Sequence, residues 1–74
     1  MNQKEFIDNL SKALETEDLL SPETKLKDLE EWDSLGILST IELIESCGGK
    51  VSIEEINSAI IVQDIYQNAF IKNS

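Results

Sequence analysis

Histidine and arginine are both missing from this chain of 74 residues. The first absence removes Ser-His and Cys-His activation of a nucleophile, and every imidazole metal site with them, which argues against an enzyme acting on its own. The second leaves six lysines as the only cationic side chains. Phosphate backbones are bound by basic patches and guanidinium forks, so nucleic acid is not an expected partner. The one cysteine, Cys47, has no partner for an internal disulfide. No apolar stretch approaches a membrane span or the core of a signal peptide. These absences lead to an expectation of a cytoplasmic, monomeric protein that does not insert into membranes.

What the chain does have is acid. Fifteen carboxylates against six lysines give a formal net charge of −9, which favours basic proteins as partners. The length suits a single domain, residues 1–74, whose one core supplies a stability of about 3–5 kcal/mol.

Apolar periodicity divides the chain into helices. Phe6, Leu10, Ala13 and Leu14 recur at i, i+4, i+7 and i+8, and Asn2 with Glu5 has capping spacing, which predicts an amphipathic helix from about Asn2 to Glu15. A long connection, Thr16 to Trp32, follows. Ser21-Pro22-Glu23 in it has the pattern of a cap, a first-position proline and a first-turn acid, predicting a short helical turn there. Leu19, Leu20, Leu26, Leu29 and Trp32 are its expected anchors on the core, with Trp32 a lid rather than a ligand platform.

A second helix is predicted from Ser34 to Cys47, stopping at Gly48-Gly49. Its wheel groups Ile37, Leu38, Ile41 and Ile44 as the core face and leaves Gly36, Ser39, Glu42 and Ser46 opposite, with Leu35 projecting among them. Ser52 and Glu55 have capping-box spacing and open a short third helix to about Ala59. Val62, Ile65, Tyr66, Ala69 and Phe70 then mark a fourth, ahead of a polar tail, Lys72-Asn73-Ser74. The expected fold is all-α: a four-helix bundle of three longer helices and one short one, with a long ordered loop between the first and second.

The chemistry centres on Ser34. A helix start carries partial positive charge and exposed N–H donors, so a phosphate esterified to this hydroxyl would be electrostatically favoured. The plainer alternative is that Asp33 and Ser34 simply cap a helix. Between Lys27 and Lys50 stand Asp28, Glu30, Glu31, Asp33, Glu42 and Glu45 and no base, a charge pattern suited to docking a basic surface. Glu30, Glu31 and Asp33 lack the spacing of an EF-hand loop, Gly48-Gly49-Lys50 lacks the rest of a P-loop, and nothing near Cys47 activates its thiol.

The Asp33-Ser34-Leu35 triplet, the preceding Trp32, the acidic neighbourhood and the Val62-Gln63-Asp64-Ile65 opening of the last helix together resemble the acyl carrier proteins over essentially the whole chain. The resemblance implies that Ser34 receives 4′-phosphopantetheine from coenzyme A through a Mg²⁺-dependent phosphopantetheinyl transferase. Acyl groups would then ride as thioesters on the distal thiol, in fatty acid, lipid or polyketide biosynthesis. Asp33, Leu35, Glu42 and Glu45 would face acyl-loading and acyl-processing enzymes through basic docking patches. No catalytic residue and no metal ligand belong to such a protein. Gly36, where fatty-acid carriers commonly have an acid, and Gly48-Gly49 and Ile61, where those carriers usually have an aromatic-ended helix close and a Thr, point to a specialised rather than a housekeeping member. An aminoacyl or peptidyl carrier and an unmodified acidic adaptor are the alternatives.

Overall fold

The computed structural model describes residues 2–17 and 19–71. Local side-chain chemistry accounts for where its helices begin. α1 spans Gln3–Leu14 and opens with a complete capping box, in which the Asn2 side chain accepts the Glu5 N–H at 2.8 Å while Glu5 reaches back to the Asn2 N–H. α2 spans Ser34–Ser46, and Gly48 beyond it takes φ 85°, a left-handed conformation that suits glycine. α3, Ile53–Ser58, starts from the expected box between Ser52 and Glu55. α4, Val62–Tyr66, passes into a π-helical turn at Gln67–Ile71. The fold is therefore all-α, with no strand among the described residues. Three helical stretches are longer and one is short, as expected: α1 and α2 have 12 and 13 residues, α4 and the π-turn that continues it have 5 and 5, and α3 has 6. The tail from Lys72 to Ser74 lies outside the described residues.

The core draws on every element. Phe6 and Leu10 of α1, Leu26 of the connection, Ile44 of α2, Ile56 of α3, and Val62 and Ile65 of α4 are all fully buried. α1 packs against α2 and α4. At the second contact Phe6 meets Tyr66 and Phe70, all three ring centroids lying within 5.7 Å of one another in tilted and edge-on arrangements.

The face that α2 turns inward departs from the expected one at two positions: Ile44 is buried and Ile37 and Ile41 pack on the core as expected, but Gly36 faces inward and Leu38 does not. Gly36, Thr40 and Ile44, at i, i+4 and i+8, are buried, while Leu38 remains 53% exposed and Ile37 and Ile41 are half-buried. Small residues win because two neighbours come close: a Cβ on Gly36 would collide with the carbonyl oxygen of Glu31, in the connection, and press on the tip of Leu14 of α1. Thr40 bears burial because its hydroxyl donates to the Gly36 carbonyl at 2.8 Å.

The connection between Leu14 and Ser34 also departs from expectation. Its helical turn is a 3₁₀ turn at Leu26–Asp28, not at Ser21-Pro22-Glu23. At the earlier position Ser21 and Thr24 form a turn, in which the Ser21 N–H donates to the Thr24 hydroxyl at 2.8 Å. The Pro22 and Thr24 carbonyls meanwhile accept from Gln63 and Val62, and the Leu26 N–H goes to Ile60 at 3.0 Å. A helix starting at Pro22 would need those same groups for itself. The result is an isolated antiparallel bridge between Lys25 and Ile61. Leu20, Leu26 and Leu29 anchor the segment as expected and half-buried Trp32 packs on the core, but Leu19 is 97% exposed and anchors nothing. Among the described residues no helix is long and apolar enough to cross a membrane.

Candidate functional site

Tight turns lead the chain into α2. The Trp32 N–H donates to Leu29 and the Asp33 N–H to Glu31, which brings Asp33 to the helix start with an extended backbone. From there its carboxylate accepts the Gly36 N–H at 2.9 Å, and its carbonyl accepts the first helical bond, from Ile37, at 2.8 Å. Asp33 is the cap. Ser34, one residue on, is exposed, and its hydroxyl has no hydrogen-bond partner among the described residues.

The N–H groups of Ser34 and Leu35 are likewise unpaired within the described chain, as expected of a first turn. A phosphoryl group on the Ser34 oxygen would stand at the positive end of the 13-residue α2, beside donors that the protein does not use.

Ser34 also lines a cleft of about 260 Å³ between α2 and α3, walled by Ile37, Leu38 and Ile41 on one side and by Ile53 and Asn57 on the other. The wall residue Ile53 is 63% exposed and Leu35, outside the cleft, is 74% exposed, so apolar surface reaches solvent around the serine. Glu42 and Glu45 are exposed on the same helix, where a docking role requires them. Asp33 is exposed as well, with one carboxylate oxygen engaged as the cap.

Of the acids of the connection, Glu31 shares a cavity of about 190 Å³ with Asp33 and Leu35 at the start of α2. Asp28, Glu30 and Glu31 join Glu15 and Glu17 around a separate, more polar cavity of about 460 Å³, and one Glu31 carboxylate oxygen is buried there without a hydrogen bond among the described residues. No group of three or more acidic or cysteine side chains among the described residues is arranged to hold a metal ion. Cys47 is half-buried at the end of α2, its sulfur 3.9 Å from the Ser46 hydroxyl.

Of the cleft residues, the sequence marks only Ser34 as part of a site: Ile37, Leu38 and Ile41 read as core-facing, and Ile53 and Asn57 escape a reading of the sequence because what brings α3 beside Ser34 is long-range packing. One local signal existed: an apolar residue at the first position of a short, acid-rich helix, where nothing local calls for it. Compared with known proteins, the chain matches no family model, no curated protein and no solved structure.

Proposed function

We propose that this protein is a carrier of the acyl carrier type, active once a 4′-phosphopantetheine arm is esterified to Ser34, and that its helices form the four-helix bundle of such carriers with an ordered loop before α2. The observation that supports this reading best is the division of labour at the helix start. A serine that merely caps would bond a first-turn N–H through its own oxygen, whereas here Asp33 does so and the Ser34 hydroxyl faces solvent.

The chain's own part is to present a nucleophile. In the transfer, the Ser34 oxygen bonds to the phosphorus that carries pantetheine, the pyrophosphate bond of coenzyme A breaks, 3′,5′-ADP leaves, and the hydroxyl proton passes to a base of the transferase. The free first-turn N–H groups fit the phosphodiester, and the cleft offers the arm an aliphatic wall. When attached, the arm supplies the thiol that this chain cannot activate for itself. Glu42, Glu45 and Leu35 form the surface presented to the transferase and to acyl-loading and acyl-processing enzymes, acidic outside and apolar near the serine. The setting is cytoplasmic, the protein a monomer, and the cargo acyl groups of fatty acid, polyketide or more specialised lipid assembly.

The test is direct. Incubation with coenzyme A, Mg²⁺ and a promiscuous phosphopantetheinyl transferase should raise the intact mass by one arm, and Ser34→Ala should stay unmodified. A wild-type mass left unchanged would overturn the carrier reading in favour of an acidic adaptor, and an arm mapped to Ser21 or Ser52 would overturn the assignment of the site.

A further inference from the structure

We infer that the junction of α1 with the connection binds a linear aliphatic polyamine, which spans the two acid-lined cavities that have Glu15 and Glu31 in common. The larger, of about 460 Å³, is lined by five carboxylates and Thr16. The smaller, of about 190 Å³, adds Asp33 and an apolar wall of Ala13, Leu14 and Leu35. Among the described residues no lysine lines either cavity. The site stands apart from the attached arm and does not depend on the carrier reading.

A run of acids is ordinarily no more than a solvated surface, and Glu31 sets this one apart. One of its carboxylate oxygens is shut off from water and accepts no hydrogen bond from any described residue. The backbone donors that follow it are already committed, Trp32 to the Leu29 carbonyl and Asp33 to the Glu31 carbonyl. A buried acceptor without a donor is destabilising, and since the walls around Glu31 supply none, a ligand is left to bring it. The arrangement of the acids sets the ligand's shape. No three of them among the described residues are placed to hold a metal ion, so a compact point charge does not fit. An alkylammonium needs only one carboxylate at a time and offers its hydrogens in several directions. Two or more such groups, held apart by methylenes, match carboxylates spread over two cavities. In the smaller cavity Ala13, Leu14 and Leu35 give the methylenes apolar surface, as proteins give the stems of their own lysines. Asp33 and Leu35 also flank Ser34, so a bound polyamine lowers the negative charge beside that hydroxyl.

Spermidine is the probe, titrated in dilute buffer into the unmodified full chain and followed by NMR. The methyl resonances of Leu14 and Leu35 and the backbone amides of Glu15 and Glu31 should move together along one saturable curve. Glu31→Gln keeps the size and removes the charge, and should weaken binding about tenfold or more, the loss expected with a hydrogen bond to a charged group. It should melt no lower than the wild type, because the buried oxygen no longer belongs to a carboxylate. Glu15→Gln, at the other shared wall, should weaken binding as well. Glu54→Gln removes one exposed charge outside both cavities and should change the affinity by less than about fivefold, the most that an exposed ion pair supplies. n-Butylamine, with a single ammonium, should bind about tenfold or more weakly than spermidine. Three results overturn the inference. Glu31→Gln binds spermidine as tightly as Glu54→Gln does; or the shifts spread over the acids of every element without saturating, as counter-ion attraction alone produces; or Mg²⁺ moves the same resonances at a lower concentration than spermidine, which makes an inorganic ion the better fit.

Discussion

The Asp33 carboxylate accepts the Gly36 N–H at 2.9 Å, and in taking that bond it frees the neighbouring Ser34 hydroxyl from structural duty. The two residues should therefore answer mutation in opposite ways. Asp33→Ala should lower stability by about 0.5–2 kcal/mol, the cost of losing a helix cap. Ser34→Ala, on an exposed position, should change it by less than about 0.5 kcal/mol while abolishing modification. Denaturant unfolding of the two variants beside the wild type checks this, and a Ser34→Ala loss as large as that of Asp33→Ala would contradict the assignment.

Gly36 should tolerate no side chain without strain. Its missing side chain leaves room for the Glu31 carbonyl and the Leu14 tip. Gly36→Ala gains helix propensity but forces backbone and side chain apart, and overpacking of this kind costs about 1–3 kcal/mol. A melting temperature at or above that of the wild type would show that α1 and α2 are less closely packed.

Glu42→Lys and Glu45→Lys together should slow modification by the transferase in dilute buffer and have little effect at high salt, since exposed charges are screened over about 10 Å at 0.1 M ionic strength. The helix content should be unchanged, both residues being exposed. Rates that match the wild type in dilute buffer would mean that these acids only face water.

Asp64 holds the joint between α3 and α4. One carboxylate oxygen accepts the N–H groups of both Ile60 and Ile61, at 3.0 and 3.2 Å. Asp64→Ala should cost about 1–2 kcal/mol and speed hydrogen exchange at those two amides most, because both lose their acceptor. An unchanged exchange rate at Ile60 and Ile61 would refute the cap.

Salt alone should stabilise the fold. A net charge of −9 in so small a domain opposes compaction, and raising ionic strength from about 0.01 to 0.15 M shortens the screening length from roughly 30 to 8 Å. Millimolar Mg²⁺ should act in the same direction. Thermal unfolding followed by circular dichroism measures both, and a melting temperature that ignores salt and Mg²⁺ would show that repulsion is not what limits stability.

Features governed by near neighbours could be read from the sequence. The capping boxes of Asn2 with Glu5 and of Ser52 with Glu55 are three residues wide, and both formed as their spacing requires. Features governed by distant partners could not. Hydropathy placed Leu38 inward and Gly36 outward, whereas the approach of Leu14 and of the Glu31 carbonyl reversed them. The Ser21-Pro22-Glu23 pattern is a sound local start signal, yet Ile60 to Gln63 took the backbone groups that a helix there would have used. At the site, Ser34 stood out through its neighbours in sequence, while Asn57 became visible only once α3 lay beside it.

The bridge between Lys25 and Ile61 also sets an order of events in time. A chain still lengthening on the ribosome has no Ile60 carbonyl for the Leu26 N–H and no Val62 N–H for the Thr24 carbonyl until those later residues have been made. Contacts so far apart in sequence form late, because loop closure must precede them. The segment that leads toward α2 thus takes its bonded form only after Ile60 to Val62 have been made, so α1 and α2 can form before the connection between them is fixed.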